Sequence, residues 1–211
     1  METRASDQSA LHYDENFLPQ SEAQELLDWL ETGPEVHWQR EQFSLFGRTT
    51  WVPRQLAWYG DSGLNYRYTG LDHYASGWPA RLLALKNRIS DKTKLPFNFV
   101  LLNRYATGAE YMGWHRDDEA AAGPMIASLS LGGARRFRVA LHRDGTEAQE
   151  TEADTTKPAD APAVRSITLG SGSLLTFDGR LRHQLPKTRK HVPVRINLTF
   201  RHLSCPTARQ K

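Results

Sequence analysis

The 211-residue chain has a single cysteine, Cys205, which excludes an intramolecular disulfide and any metal site built from thiolates alone. A metal would have to be held by histidines and carboxylates, and so low a thiol content fits a reducing compartment. Long apolar runs are absent too. The first twenty residues hold no apolar segment of the signal-peptide kind, and no later window approaches the roughly 18 apolar residues that a membrane span needs. The expectation is a soluble intracellular protein that makes no use of a membrane. Neither sign of charge dominates: 27 Lys and Arg against 24 Asp and Glu leave a formal net charge of +3. The pI near 9.1 and the cluster "KTRKH" from Lys187 to His191 would suit a polyanion, although most such runs are simply solvated faces. There is no internal repeat and no disorder-type composition, so the length accommodates one substantial core.

What is present is a loose start, two predicted helices and, from Pro96 on, a β-rich stretch. Residues 1–15 read as a loose polar segment. Ser21 opens "SEAQ", the form of a capping box, ahead of Leu26, Leu27 and Leu30 at helical spacing. A second helix is predicted from Trp78 to about Ser90, with Pro79 in its first turn and Leu82, Leu85 and Ile89 inward. From Pro96 onward the pattern changes to short β runs, "FNFVLLNRY", "MIASLSLGG", "RFRVALH", "VRSITLG", "GSLLTFD" and "VRINLTFR", punctuated by Gly, Pro and Asp. This predicts a mainly β, α+β domain with a double-sheet or barrel-like core and helices packed outside it. Asp144–Ala163, rich in acidic residues, Ala, Thr and Pro, reads as an exposed loop.

The stretch "YMGWHRDDE" gathers a histidine and three carboxylates within five residues. His115 and Asp117 are two apart, so on an extended segment both project from one face and can grip one ion. A third ligand must come from elsewhere, and His183 in "GRLRHQLP" lies just past the "GSLLTFDG" run. Two histidines and a carboxylate on one face, with other positions open, form the ligand set of non-haem Fe(II) oxygenases. The competing reading, two ordinary sheet histidines and a turn aspartate, has equal standing on H-x-D alone.

The last strand shifts that balance. In "VPVRINLTFRHL", Val194, Ile196, Leu198 and Phe200 fall on one face and Arg195, Asn197, Thr199 and Arg201 on the other. If the polar face points into a small barrel, two guanidinium groups need partners there, because unpaired buried charge is costly. A small dicarboxylate supplies them, since the arginine fork matches a carboxylate bidentately. Asn103 and Tyr105, sharing a face of "FNFVLLNRY", would add hydrogen bonds to the same ligand.

Taken in order, "NRY", "HRDDE", "PMIASLSLGG", "GSLL", "RHQLP" and "RINLTFR" resemble the AlkB family of Fe(II)- and 2-oxoglutarate-dependent dioxygenases. The upstream "LFGRTTWVPRQLAWYGDSGLNYRYTG" resembles its branch that repairs alkylated bases in duplex DNA. The resemblance spans roughly Phe43 to Arg201. It implies a double-stranded β-helix, or jelly roll, over 96–201 within one domain at 16–204, with a nucleotide-recognition lid at 43–70. It implies Fe(II) on His115, Asp117 and His183, and 2-oxoglutarate and dioxygen as cosubstrates. Arg195 then lies near the C1 carboxylate of 2-oxoglutarate and Arg201 pairs with its C5 carboxylate, with Asn103, Tyr105, Asn197 and Thr199 as further contacts. Oxidative decarboxylation to succinate hydroxylates the N-methyl group of a base such as 1-methyladenine or 3-methylcytosine, and the product loses formaldehyde.

A base inside a duplex must be extruded to reach such a site. By resemblance Leu45, Phe46 and Gly47 form a finger with Phe46 as the wedge, Tyr66 and Tyr68 sandwich the flipped base with His115, and Glu119 meets its exocyclic edge. Arg48 and Arg54, with Lys187, Arg189 and Lys190, become candidates for phosphate contacts. The expected partner is DNA, double-stranded as well as single-stranded, bound by a monomer with no protein partner indicated. The expected location is cytoplasmic in a bacterium and nuclear in a eukaryote. Two other readings stand beside this one. One is an AlkB-like hydroxylase or demethylase of RNA or protein. The other is a non-catalytic nucleic-acid-binding module, which would be expected to have lost a ligand of the triad; none is lost. A zinc hydrolase with the same ligands would leave the paired arginines unexplained.

Overall fold

The alternation of the C-terminal half builds two antiparallel sheets that face each other. The structure, a computed structural model, describes residues 11–45, 48–68, 71–117, 122–141 and 163–204. The chain runs through β1 (Leu11–Asp14), α1 (Gln20–Thr32), β2 (Gln42–Leu45), β3 (Arg48–Trp51), β4 (Gln55–Gly60), β5 (Asn65–Tyr68) and β6 (Leu71–Tyr74). It continues with α2 (Ala80–Thr93), β7 (Phe99–Tyr105), β8 (Met112–His115), β9 (Met125–Gly132), β10 (Arg135–Leu141) and β11 (Ala163–Leu169). The last three strands are β12 (Leu174–Asp178), β13 (His183–Leu185) and β14 (Arg195–Arg201). A major sheet has the order β1-β12-β9-β14-β7-β4, and a minor sheet the order β11-β10-β13-β8. Together they form the jelly-roll core, with two small hairpins, β2–β3 and β5–β6, beside it.

Period-two alternation decides what each face of the major sheet meets. Ile196, Leu198 and Phe200 of β14, with Ala127, Leu129 and Leu131 of β9, pack outward against Leu26 and Leu30 of α1 and Leu82, Leu85 and Ile89 of α2. Each fully buried aliphatic side chain there contributes about 1.5–3 kcal/mol, which is why two helices of modest length stay docked. The inner face of β9 and β12 meets the minor sheet through Ile126, Leu175 and Phe177 against Phe137, Val139, Ile167 and Leu169. The inner face of β14 is polar, so the core is interrupted there and a cavity opens between the sheets. Gly132, with φ +76°, turns the chain at the end of β9 where a Cβ would collide with the Val194 carbonyl.

Several expectations need correction. Leu11–Asp14 is not loose: it pairs with β12, Leu11 opposite Phe177 and Asp14 opposite Leu174. Helix α1 has no capping box, because Pro19 takes the cap position with no side-chain bond and Ser21 already lies inside the helix. Gln24 bonds Asp28 one turn on instead of reaching back. Helix α2 begins at Ala80 with Pro79 as its cap and runs to Thr93, three residues beyond the expected end. The span 43–70 is not one lid, since β4 within it pairs along its whole length with β7 and belongs to the major sheet. Of the expected exposed loop, residues 144–162 lie outside the described residues, and Ala163 opens β11.

Candidate metal and anion centre

His115 and His183 sit directly opposite each other where β8 pairs with β13, and Asp117 follows two residues past His115. Their ligand atoms lie within 4.8 Å of one another. Asp117 turns both oxygens to the histidines, Oδ1 at 3.6 Å from Nε2 of His115 and Oδ2 at 3.6 Å from Nε2 of His183. Each imidazole is aimed by its own backbone. Nδ1 of His115 lies 2.8 Å from the Gly113 carbonyl, and Nδ1 of His183 lies 2.8 Å from the Leu181 carbonyl. A carbonyl only accepts, so Nδ1 carries the proton and Nε2 presents its lone pair, the arrangement that metal-binding histidines require. Phe177 and Phe137 pack edge-on and tilted against His183, with ring centroids at 4.9 and 5.5 Å, and fix its plane.

The electrostatics prepare the same donor set. Burial, and then the neighbouring His183, push His115 down to about 4, which keeps it neutral and ligand-competent well below neutral pH. For Asp117 burial works toward a raised value, but Arg201, followed by His183 and His115, outweighs it and holds the carboxyl well below the usual carboxylate range. Arg201 donates from Nη2 to Asp117 Oδ2 at 2.8 Å, with both groups buried. The backbone helps as well: Asp117 N–H donates to the Gly179 carbonyl at 2.8 Å. A Cβ on Gly179 would lie 2.9 Å from the Asp117 carbonyl oxygen and 2.6 Å from Ile126 Cδ1, so only glycine lets the two segments approach this closely. The donor set therefore fits a divalent ion such as Fe(II): one anionic oxygen, two neutral imidazoles and a supporting second layer.

Asn103, Tyr105, Arg195, Asn197, Thr199 and Arg201 line the same cavity as the triad, as the alternation argument required. Arg195 is 3% exposed, donates from Nη2 to Ser130 Oγ at 2.9 Å, lies over the Tyr105 ring at 5.6 Å, and leaves Nε without an acceptor. Burial, helped by Arg135 and opposed by Tyr105, pushes its pKa down to about 10. A buried guanidinium with an orphan N–H and no carboxylate partner among the described residues fits a ligand carboxylate. The two arginines do not share one end of the cavity. Six residues apart on an extended strand, their Cα atoms are about 20 Å apart, and Arg201 is the one beside the metal ligand. Arg201, expected at the C5 carboxylate, is thus the arginine that pairs with Asp117, and Arg195, expected near C1, is the one away from it. Asn197 donates to Ser128 Oγ and the Leu129 carbonyl and accepts from Thr199, so this pair braces the wall between the arginines.

Two residues expected to meet DNA are elsewhere. Arg54 is buried and donates from Nε to Asn103 Oδ1 at 2.6 Å, so it braces the cavity wall and is not a surface phosphate contact. Tyr66 is 0% exposed, packed on Phe99 and beneath the Arg201 guanidinium at 5.1 Å, so its ring is not available to sandwich a base. The NYRY alternation put it on a face correctly, but that face is core. Leu45 and Arg48 are paired across the β2–β3 hairpin, Tyr68 pairs with Leu71, and Lys187, Arg189 and Lys190 are exposed on the segment that follows β13. Phe46, Gly47 and Glu119 lie outside the described residues. Sequence reasoning missed Gly179, Ser128 and Ser130. The two serines were legible, since S-L-S in "IASLSLG" alternates on the face that meets Asn197 and Thr199 of β14; Gly179 gave no signal, because its constraint is a contact with a segment 62 residues away.

Comparison with known proteins agrees with this geometry. The sequence model described as the 2OG-Fe(II) oxygenase superfamily matches residues 10–201. The chain is 38% identical over 165 residues to the human "DNA oxidative demethylase ALKBH2", covering 75% of this chain and 60% of that protein. It is 34% identical over 210 residues to the Arabidopsis thaliana protein of the same name, covering 92% and 66%, and 33% identical over 184 residues to human "Alpha-ketoglutarate-dependent dioxygenase alkB homolog 3", covering 82% and 60%. The chain thus spans about three-fifths to two-thirds of the length of these relatives. Among solved structures, an oxidoreductase of the 2OG-Fe(II) oxygenase family from Burkholderia pseudomallei superposes with TM-score 0.53 at 14% identity, covering 94% of this chain and 91% of that one. At that identity the likeness concerns the fold alone.

Proposed function

Because the chain belongs to the 2OG-Fe(II) oxygenase superfamily, we propose that it is an oxidative demethylase of N-alkylated bases in DNA, consuming 2-oxoglutarate and dioxygen and releasing succinate and formaldehyde. The observation that carries the reading is the shared cavity: a His-Asp-His donor set at one end and the uncompensated guanidinium of Arg195 at the other. The likeness to DNA oxidative demethylases supports DNA as the substrate class.

His115, Asp117 and His183 would hold Fe(II), which with 2-oxoglutarate and dioxygen supplies the oxidising chemistry. The protein's own share is positioning. Arg201 keeps Asp117 anionic and oriented, so the metal end of the cavity is fixed before any ligand enters. Arg195, backed by Ser130 and Tyr105, binds the far carboxylate of the diacid, and this sets which end reaches the metal. The aromatic and aliphatic lining from Phe137, Phe177, Leu169 and Leu185 excludes water from that path. His115, more exposed than the other two ligands, marks the side from which a base approaches. Phe46 acts as the wedge that replaces an extruded base, with Leu45 and Gly47 beside it, and Glu119 and Tyr68 contact that base. Lys187, Arg189, Lys190 and Arg48 contact phosphates, on duplex and single-stranded DNA alike.

The test is anaerobic loading with Fe(II) and 2-oxoglutarate, then oxygen and oligonucleotides carrying 1-methyladenine. Succinate, formaldehyde and repaired adenine appearing in equal amounts support the reading. Succinate without repaired base would remove DNA as the substrate, and no succinate at all would remove the oxygenase chemistry.

A further inference from the structure

The outer face of the minor sheet carries a second concentration of cationic and aromatic groups that the cavity does not use. Alternation sends His115, His183, Phe137 and Val139 inward, and sends their chain neighbours Trp114, Arg182, Gln184, Arg136 and Arg138 out. Trp114 is 36% exposed on β8, an edge strand of that sheet. Its ring has the Arg138 guanidinium at 5.5 Å and the Arg182 guanidinium at 5.8 Å. With its amide oxygen facing the donors, Gln184 accepts from Arg138 Nη1 at 3.0 Å and from Trp114 Nε1 at 3.2 Å, which ties the indole and one guanidinium to the same amide. Beyond them lies a depression of about 560 Å³ lined by Arg136, Arg138, Lys187, Lys190 and His191, and Lys187 also covers the Tyr111 ring at 4.4 Å.

Among the described residues no carboxylate pairs with Arg136, Arg138 or Arg182. Arg67, Arg88, Arg104 and Arg180 each have an acidic partner, whereas these three are gathered on one sheet face, Arg138 and Arg182 around one aromatic ring. Guanidinium groups gathered without a carboxylate among them repel one another, and a polyanion that also offers flat π-faces both relieves that repulsion and matches the exposed indole. Cationic groups that track phosphates, interleaved with aromatics on which bases stack, are the composition of single-strand binding grooves. Trp114 is also the residue next to His115, on the opposite face of an edge strand, so a strand presenting a base to His115 passes Trp114 on rounding that edge.

We propose that this outer face is a second DNA-contact surface, binding the unpaired strand that flanks the target nucleotide: a base stacks on Trp114 while Arg136, Arg138 and Arg182 contact its phosphates. The inference rests on the demethylase reading only for its choice of ligand, and it is tested on unmodified DNA so that the two can fail separately.

The experiment measures binding of fluorescein-labelled dT12, single-stranded, to the full chain by anisotropy over a salt series. Trp114→Leu weakens binding about fivefold or more, the low end of what one stacked base contributes. Arg136→Gln/Arg182→Gln flattens the slope of log affinity against log salt by about 1.4, two single-strand phosphate contacts at roughly 0.7 each. A matched control, Arg81→Gln/Lys86→Gln on α2, removes two cations that also lie over tryptophan rings and leaves the slope unchanged. Thermal midpoints within about 2 °C of the parent keep folding out of the comparison. An equal slope loss in the control, wild-type dT12 affinity in the outer-face variants, or an equal loss on a 12-base-pair duplex in Trp114→Leu overturns the proposal. A protein that fails to demethylate any methylated oligonucleotide, yet shows these losses on dT12, supports the surface and removes the demethylase reading.

Discussion

Replacing Arg201 with methionine tests the electrostatic design of the centre most directly. Its guanidinium lies 2.8 Å from Asp117 Oδ2, the side chains being 3% and 4% exposed, so the change leaves a carboxylate in a nearly dry site facing two neutral imidazoles. Breaking one side of a buried ion pair costs about 3–5 kcal/mol. For a domain of this size each kcal/mol moves the melting midpoint by about 2–4 °C, so the metal-free variant should melt roughly 6–20 °C lower at pH 7. The deficit should shrink as pH falls. In the parent Asp117 is held below its ordinary value and stays ionised, whereas in the variant burial acts unopposed by Arg201, the folded-state pKa rises, and protonation relieves the unpaired charge. A divalent cation should also recover more stability in the variant than it adds to the parent, because it no longer meets a fixed positive charge across Asp117. Differential scanning fluorimetry with and without Mn(II), at pH 5 and pH 7, reads all three effects. A deficit below about 1 kcal/mol, or equal Mn(II) shifts in both proteins, would refute the argument that Arg201 and Asp117 form the electrostatic unit of the site.

Other variants separate binding from stability. Gly179→Ala puts a Cβ against the Asp117 backbone and Ile126; it should cost about 1–3 kcal/mol through overpacking and weaken Mn(II) affinity, read by thermal melts and metal titration. Arg195→Met should raise the KM for 2-oxoglutarate at least 100-fold without lowering the melting midpoint, because it replaces a buried cation that has no carboxylate partner among the described residues; a lower midpoint with unchanged KM would contradict that assignment. His115 is depressed to about 4 in the folded chain from an ordinary 6.5, so the unfolded state binds the extra proton between those values. Metal-free stability should therefore be complete above pH 6.5 and decline as pH falls toward 4, by up to about 3 kcal/mol, and His115→Gln should flatten that slope in urea titrations. Phe46→Ala should reduce turnover on duplex more than on single-stranded substrate; equal losses would remove the wedge.

The sequence by itself determined the two-faced last strand, because strand periodicity is a local property: Arg195, Asn197, Thr199 and Arg201 must share a face once Ile196, Leu198 and Phe200 are buried; the jelly-roll class and the His115, Asp117 and His183 triad were legible through the ordered motifs that resemble the AlkB family. It also limited metal binding to histidine and carboxylate through the near absence of cysteine. What it left open were contacts between segments distant in the chain. Which end of the cavity each arginine serves depends on where Asp117 lands beside β14. Whether Arg54 and Tyr66 face DNA or support the cavity depends on what packs over them, and both proved buried. The requirement for glycine at 179 exists only because Asp117 passes it at van der Waals distance, and Leu11–Asp14 becomes a strand only because β12 offers it an open edge. A side chain's face is set by its nearest neighbours in the sequence, but what that face meets is set by the arrangement of the sheets.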